Sequence, residues 1–412
     1  MNLKVKIGLM QFLEFLAWGT WLVTIGAYCF NTKHWTASQF GAIFSTTGWA
    51  ALFMPAVAGF IADKWINAER MYGFAHLACA VCMACVPLMQ TPAELFWLML
   101  LNMCFYMPTV SMTFSLSYAV MENAGMDILK EYPPLRAFGT IGFAAGMWST
   151  SLLGLESSPW QFYISSACSL CLGLFAFTLP KCPPAKSNQD KSWLEVLGFD
   201  AIKLFKSANI AIFFMFSILI GVCLQLSSAY FDGYLHDFAK IPQYAASPVL
   251  KYPAIVISLG QLSEAAFVLM VPFLLKRIGI RNIMVFSIFA WVTCWLLLAY
   301  GNPGNGLALI IAAMLIRGMA FDFFNLSGSL YIEKTAPVVM RSSAQGLYQV
   351  MVIGVAAIIG SYTSGWLIDT FFTTNGVKDW HGIMLAFAGY SIFVAIAFIL
   401  LFKDNNTRTV SN

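Results

Sequence analysis

The chain has 412 residues, of which 59% are hydrophobic and only 10% are charged, and its mean hydropathy is +0.74. Since a soluble domain usually carries about 25% charged residues, this composition excludes a water-soluble fold. The net charge of +4 comes from basic residues in short loops, so it indicates membrane topology and not nucleic-acid binding.

Apolar runs follow one another along the chain, each of about 20 residues, which is long enough for a helix to cross about 30 Å of hydrocarbon. The predicted spans are 7–30, 39–61, 71–90, 95–118, 135–155, 160–180, 209–231, 252–275, 282–300, 305–330, 343–369 and 382–402. Barrel strands are much shorter, and lipid leaves open sheet edges unsatisfied. The pattern therefore predicts an all-α membrane protein with twelve transmembrane helices, the first of them uncleaved because it contains Glu14 and exceeds the length of a signal-peptide apolar segment.

A polar stretch at 181–208 interrupts the apolar pattern near the middle of the chain. It predicts a cytoplasmic linker, with a surface helix at 192–206, between two pseudo-symmetric six-helix bundles at 1–180 and 209–412. Most of the 23 Lys and Arg residues fall on the inner side if the N-terminus is cytoplasmic. Both termini are therefore predicted to lie in the cytoplasm.

The loop GFIADKW at 59–65, followed by Arg70, lies between the second and third predicted helices. It resembles the signature of the major facilitator superfamily at this position. By that resemblance Gly59 allows close helix approach, and Asp63 pairs with a cation or a helix end. An ordinary polar loop is the alternative interpretation.

Five ionisable residues stand out as intramembrane candidates: Glu14, Arg136, Glu264, Arg317 and Asp322. A charge at the bilayer centre costs at least about 2.5–3.5 kcal/mol on insertion scales, so it is normally retained for a task. Structural pairing is the favoured interpretation for Glu14 and Arg317. For Glu264 and Asp322, the alternative to a functional role is an ion pair with Arg136 or Arg317.

Polar and aromatic side chains recur at helical spacing around these charges. Arg136, Thr140 and Phe143 lie on one face of the fifth predicted helix. Later helices add Gln225 with Ser228, Gln261 with Glu264, and Phe321 with Asp322 and Asn325. Interhelical hydrogen bonds worth roughly 0.6 kcal/mol each are the alternative role for the amides and the serine. Convergence of amides, acids, a cation and aromatic rings favours one hydrogen-bonding cavity.

Several longer motifs carry a more specific resemblance. They are the opening MNLK with FLEFLAWGTWLVTIGAY, NAGMDI at 123–128, PPLRAFGTIGF at 133–143, QLSE in the eighth helix and FDFFNLSGS at 321–329. Through nearly its whole length the chain is similar to the nucleoside:proton symporter family of the major facilitator superfamily. The resemblance implies a major facilitator fold, a nucleoside bound between the two halves, and uptake driven by the proton gradient.

The resemblance also implies which residues contact substrate. The positions matching the family's central cavity are Arg136, Thr140, Phe143, Gln225, Gln261, Glu264, Phe321 and Asp322. The chain departs from the family pattern at two positions, with Ser228 in place of a second carboxamide and Arg317 in place of a tyrosine. Purine or pyrimidine preference therefore does not follow from the sequence.

The chemistry of a nucleoside agrees with this set of side chains. Ribose hydroxyls suit carboxylate and amide acceptors such as Gln225, Gln261 and Glu264, while the flat base suits stacking on Phe143 and Phe321. Ser228 completes the predicted substrate-binding set.

Proton coupling requires an acid whose protonation changes when it is dehydrated or when its cationic partner leaves. Asp322 or Glu264 is the predicted proton carrier, with Arg136 as the switching partner.

Other chemistry has little support in the sequence. The four histidines lie mostly near helix ends, without the spacing of metal ligands, and a zinc site at Cys79, Cys82 and Cys85 is less favoured than buried thiols. No phosphate-binding loop of the GxxxxGK[ST] type occurs. We predict no enzyme activity, cofactor or metal, and as partners a nucleoside, protons and the lipid bilayer.

The family resemblance further implies a monomer in a bacterial inner membrane. A sugar:proton symporter of the same superfamily and a non-transporting nucleoside sensor are the alternatives.

Overall fold

A computed structural model describes residues 2–184, 199–268, 270–337 and 340–403, apart from a few side chains within them. The long helices are, in chain order, α1 (Leu3–Gly19), α2 (Ala37–Phe44, continuing as Thr46–Lys64), α3 (Ala68–Cys85), α4 (Pro92–Asn123), α5 (Ile128–Leu152), α6 (Trp160–Ala176), α7 (Ala208–Phe238), α8 (Pro253–Val268), α9 (Val271–Tyr300), α10 (Leu307–Thr335), α11 (Arg341–Gln349, the π-helical Val350–Val355, then Ala356–Phe371) and α12 (Trp380–Leu401). The predicted all-α class is confirmed.

Short elements join some of these helices. They are helical turns at Ile25–Ala27, Tyr28–Thr32, Val86–Leu88, Phe199–Lys206 and Pro248–Lys251, and an antiparallel hairpin of Thr373–Thr374 with Val377–Lys378. In the hairpin, Thr373 pairs with Lys378 and Thr374 with Val377. This hairpin, between α11 and α12, is the only β-structure in the described residues.

Eight helices in the described ranges are long and apolar enough to cross a membrane, namely α2, α3, α4, α7, α9, α10, α11 and α12. The apolar helices α6 and α8 are shorter. Every predicted span falls on a helix, but α1 and α5 carry charged residues near their starts and fall outside both groups. Twelve membrane crossings therefore stay a prediction, as does the division into two six-helix bundles.

The predicted boundaries differ from the observed ones where a helix breaks inside an apolar run. The span 7–30 is interrupted because α1 ends at Gly19. Between the predicted spans 252–275 and 282–300 the backbone leaves helical geometry at Gly279, whose φ is 76° and ψ 167°. A positive φ of this kind favours glycine. Residue 269, between Val268 and Val271, lies outside the described residues.

Residues 185–198 of the predicted linker lie outside the described residues, as does the side chain of Asp63. The close helix approach expected at Gly59 is not observed. A Cβ atom built on Gly59 would meet no heavy atom within 4 Å in the described part of the chain, because this glycine lies on a partly exposed face of α2.

The chain divides into two compact units, Met1–Leu197 and Gly198–Asn412. In the N-terminal unit, α1 packs against α5 and α3 packs against α6. Tyr72 and Leu116 lie in a buried apolar cluster with residues of α1 and α6. Small residues allow the α1–α5 contact, since a Cβ on Gly142 would clash with the carbonyl oxygen of Phe12. The backbones of α1 and α5 therefore touch directly.

In the C-terminal unit, α9 packs against both α10 and α12. The rings of Trp291 and Trp295 stack 5.7 Å apart, and Trp295 also meets Phe387 of α12. By contrast, Phe393 and Leu400 on α12 are each 67% exposed. An apolar surface of this kind suits a lipid environment, because water would disfavour it.

Candidate functional site

The three predicted site residues of the N-terminal unit lie along α5. The guanidinium of Arg136 packs over the ring of Phe15, 4.4 Å from the ring centroid. Phe143 meets Trp18 edge to face, with ring centroids 6.2 Å apart. Thr140 is partly buried one turn from each of them. Two aromatic side chains of α1 therefore pack against Arg136 and Phe143, the first and last of the three predicted residues.

Among the described acids of this unit, Glu14 has the most side-chain hydrogen-bonding partners, three in number. Its side chain is fully buried. Its carboxylate accepts hydrogen bonds from the hydroxyls of Tyr72 at 2.5 Å and Thr109 at 2.9 Å, and Nε2 of His76 lies 2.7 Å from it. These partners come from α3 and α4. The sequence predicted structural pairing for Glu14, and the structure gives it these three partners.

His76 is the exception among the four histidines, which were predicted to lie mostly near helix ends. His76 lies in the middle of α3 and is fully buried. Its spacing of i, i+4 from Tyr72 in an apolar helix indicated a shared polar face. Nothing in the sequence identified Glu14 as the residue that this face meets.

In the C-terminal unit, Arg317 gathers several of the predicted residues. Its side chain is only 7% exposed. Nε donates to the hydroxyl of Ser227 at 3.1 Å, and Nη2 lies 3.5 Å from that of Ser228. The guanidinium also interacts electrostatically with Glu264 and Asp322. The two positions that depart from the family pattern, Ser228 and Arg317, are therefore neighbours in the structure.

Three buried amide or carboxylate oxygens on α8 and α10 have no hydrogen-bond donor among the residues that the structure describes. They are Oε1 of Gln261, Oδ2 of Asp322 and Oδ1 of Asn325. A buried polar atom without a protein partner is costly unless a water, an ion or a bound ligand supplies the hydrogen bond. Gln261 lies on α8, and the other two lie on α10.

The remaining predicted residues are placed on the same helices. Gln225 is 7% exposed on α7, one turn before Ser228, and Phe321 is partly buried beside Asp322. The structure groups Ser228, Glu264 and Asp322 around Arg317. Within the described ranges it shows no hydrogen bond or ring contact of Gln225 or Phe321 with that group.

Comparison with known proteins identifies the class. The family model for the nucleoside H+ symporter matches residues 1–407. The chain therefore belongs to the nucleoside H+ symporter family, as the sequence motifs predicted, and the sugar:proton alternative is not favoured.

Individual relatives match almost end to end. The chain is 44% identical to the xanthosine permease of Escherichia coli (strain K12) over 407 residues, which cover 98% of this chain and 97% of the relative. It is 42% identical to the nucleoside permease NupG of the same organism over 409 residues, with 99% and 98% covered. A crystal structure of the nucleoside transporter NupG matches with a TM-score of 0.93 at 43% identity, covering 98% of this chain and 100% of that one. These matches confirm the major facilitator fold and a transporter rather than an enzyme.

Proposed function

We propose that the protein imports nucleosides together with protons by alternating access. The residues proposed to bind the nucleoside are Arg136, Thr140, Phe143, Gln225, Ser228, Gln261, Glu264, Phe321 and Asp322. Membership of the symporter family supports the substrate class. The names of the two E. coli relatives, one a xanthosine permease and one a nucleoside permease, also support it.

The observation that carries this site is the set of unpaired acceptors in the C-terminal unit. Oε1 of Gln261 and Oδ2 of Asp322 are buried without a donor in the described part of the chain. Ribose hydroxyls and base N–H groups are donors of the kind that these oxygens lack. A nucleoside bound at these two residues would satisfy them, which supports its binding there.

Proton coupling is proposed to use Asp322 or Glu264. Both acids interact electrostatically with each other and with Arg317. Protonation of one acid removes a negative charge from a buried site, which reduces the cost of moving that site away from water. Arg136 remains the proposed switching partner, and Arg317 is a second cation that already faces both acids.

The cellular setting is also proposed. Basic residues near the start of α9, such as Lys276 and Arg277, are exposed and support a cytoplasmic location for that end of the helix. By the same rule both termini are placed in the cytoplasm. A bacterial inner membrane and a monomeric state are proposed from the family.

Uptake by purified protein in lipid vesicles tests the proposal. Labelled uridine, inosine and xanthosine are offered with and without an inward pH gradient, with unlabelled sugars as competitors. We expect gradient-driven accumulation of at least one nucleoside and no competition by sugars. Equal uptake with and without the gradient would contradict proton coupling.

The variant Asp322→Asn tests the acid directly. It should abolish uphill accumulation while preserving exchange of labelled for unlabelled nucleoside, because exchange needs no net proton movement. Glu333→Gln is the matched control, since Glu333 lies on the same helix but pairs with Arg341 at an exposed site. Unchanged uphill uptake in Asp322→Asn would remove Asp322 from the coupling mechanism.

A further inference from the structure

The buried carboxylate of Glu14 ties α1 to two other helices of the N-terminal unit. Tyr72 and His76 approach it from α3, and Thr109 approaches it from α4. The hydroxyl of Tyr106, also on α4, donates to the backbone carbonyl of Glu14 at 2.9 Å. Side chain and backbone at one position of α1 are therefore both held by neighbouring helices.

The opposite face of α1 is in direct backbone contact with α5. Cβ atoms built on Gly19 or Gly142 would clash with the carbonyl oxygens of Phe143 and Phe12, and one built on Gly146 would lie 2.6 Å from that of Leu16. No side chain separates the two helices at these points. A shift of α1 must therefore displace α5, which carries Arg136, Thr140 and Phe143.

Two aromatic side chains of α1 lie next to Glu14 along this contact. The ring of Phe15 supports the guanidinium of Arg136, and Trp18 meets the ring of Phe143. Trp18 also packs on Tyr106, with ring centroids 5.3 Å apart. The residues that hold Glu14 and the residues that support the α5 stripe thus form one contiguous set.

We propose that Glu14 is a positioning residue for nucleoside binding: by fixing α1 against α3 and α4, it sets Phe15 and Trp18, and through them Arg136 and Phe143. The inference rests on the proposed function of those two residues. Glu14 itself touches no substrate in this proposal.

The chemistry of the cluster favours positioning over simple helix adhesion. Apolar residues of similar volume can hold helices together as well as a buried charged group does, and without its desolvation cost. A carboxylate with three directed hydrogen-bonding partners fixes both the rotation and the axial position of α1, which apolar packing does not. A displacement of about 1 Å at a binding site can cost up to about 100-fold in rate, so such precision has a function.

The test is the kinetics of nucleoside exchange by Glu14→Gln in lipid vesicles. The amide keeps the shape of the side chain but replaces one acceptor oxygen by a donor. We expect the KM for uridine or inosine to rise about 10-fold with Vmax within about 2-fold, because substrate contacts are misplaced while the transport cycle is intact. The melting temperature of the purified variant should stay within a few degrees of the parent.

A double variant separates positioning from an independent effect. If Glu14 acts through Phe143, the KM of Glu14→Gln combined with Phe143→Ala should rise by clearly less than the product of the two single effects. Tyr72→Phe removes one donor and leaves the carboxylate in place, so it carries the test if Glu14→Gln does not fold. Thr24→Val is the matched control, because it removes another fully buried hydrogen bond, from the turn after α1 to Gln161 of α6 at 2.7 Å, and should not change KM.

Two different results would overturn separate parts of this scheme. A lower melting temperature with unchanged KM in Glu14→Gln and Tyr72→Phe would leave Glu14 as structural only, as would fully multiplicative effects with Phe143→Ala. Unchanged KM in both Arg136→Ala and Phe143→Ala would instead remove the proposed substrate contacts themselves. If Arg136→Ala and Phe143→Ala raise KM and the Glu14 variants do not, the substrate contacts stand and only the positioning role of Glu14 is wrong.

Discussion

The buried acids Glu14 and Asp322, one in each unit, differ in their hydrogen bonding. In the N-terminal unit, the carboxylate of Glu14 has three hydrogen-bonding partners from two helices. In the C-terminal unit, Oδ2 of Asp322 and Oε1 of Gln261 are also buried atoms, yet no described residue donates to them. Both acids were equally conspicuous in the sequence as charges in apolar helices. The difference supports the proposal that Glu14 holds structure, whereas Asp322 binds a substrate or a proton.

Replacing Glu14 by Leu should give the largest loss of stability. The change leaves the hydroxyl of Tyr72 and Nε2 of His76 buried without this partner, while the hydroxyl of Thr109 keeps the carbonyl oxygen of Tyr106 as its acceptor. Removing one partner of a buried charged network typically costs about 3–5 kcal/mol. Thermal unfolding of the purified protein in detergent measures the effect. A melting temperature equal to that of the parent would show that the cluster is not structural, and the contrast between the two units would fail.

Replacing Gln261 by Leu should affect substrate binding and not stability. Because Oε1 has no donor to lose within the described residues, stability should be unchanged or slightly higher. Loss of a substrate hydrogen bond should raise the KM for nucleoside about 10-fold, equivalent to about 1.4 kcal/mol. The paired measurement is thermal unfolding together with exchange kinetics. A marked drop in stability with normal KM would place Gln261 with Glu14 as a structural residue.

Replacing the serines beside Arg317 should give the smallest losses of stability. The two variants compare a shorter hydrogen bond with a longer one. Ser227→Ala removes a bond of 3.1 Å to a buried cation and should cost about 1 kcal/mol of stability, while Ser228→Ala removes one of 3.5 Å and should cost less. Thermal unfolding of both variants gives the comparison. If Ser228→Ala is the more destabilising of the two, the observed geometry around Arg317 is not the one that stabilises the protein.

Much of the helix placement could be predicted from the sequence, because lipid requires long apolar runs to be helical. The ends could not. The helix α4 starts at Pro92, three residues before the predicted span, where Thr91 and Glu94 form a reciprocal capping box. The helix α7 continues to Phe238, beyond the predicted end at 231. Hydropathy detects only the part of a helix that lipid contacts.

The candidate site was predictable along each helix but not between helices. Helical spacing placed Arg136 and Phe143 on one face, and the structure adds that both lie against aromatic residues of α1. The partners of Glu14 were missed because Tyr72, His76 and Thr109 are ordinary residues whose importance comes from tertiary contact. For the same reason, the sequence could not show that Ser228 and Arg317 are neighbours.

The glycine contacts between α1 and α5 have a practical consequence for spectroscopy. Since the two backbones touch, α1 reports the motion of the helix that carries Arg136. Its exposed first turn contains Lys4, which pairs with Glu131 at the start of α5. A spin label attached near Val5 would therefore follow, through the transport cycle, the helix that is proposed to contact the nucleoside, with all the proposed contact residues left in place.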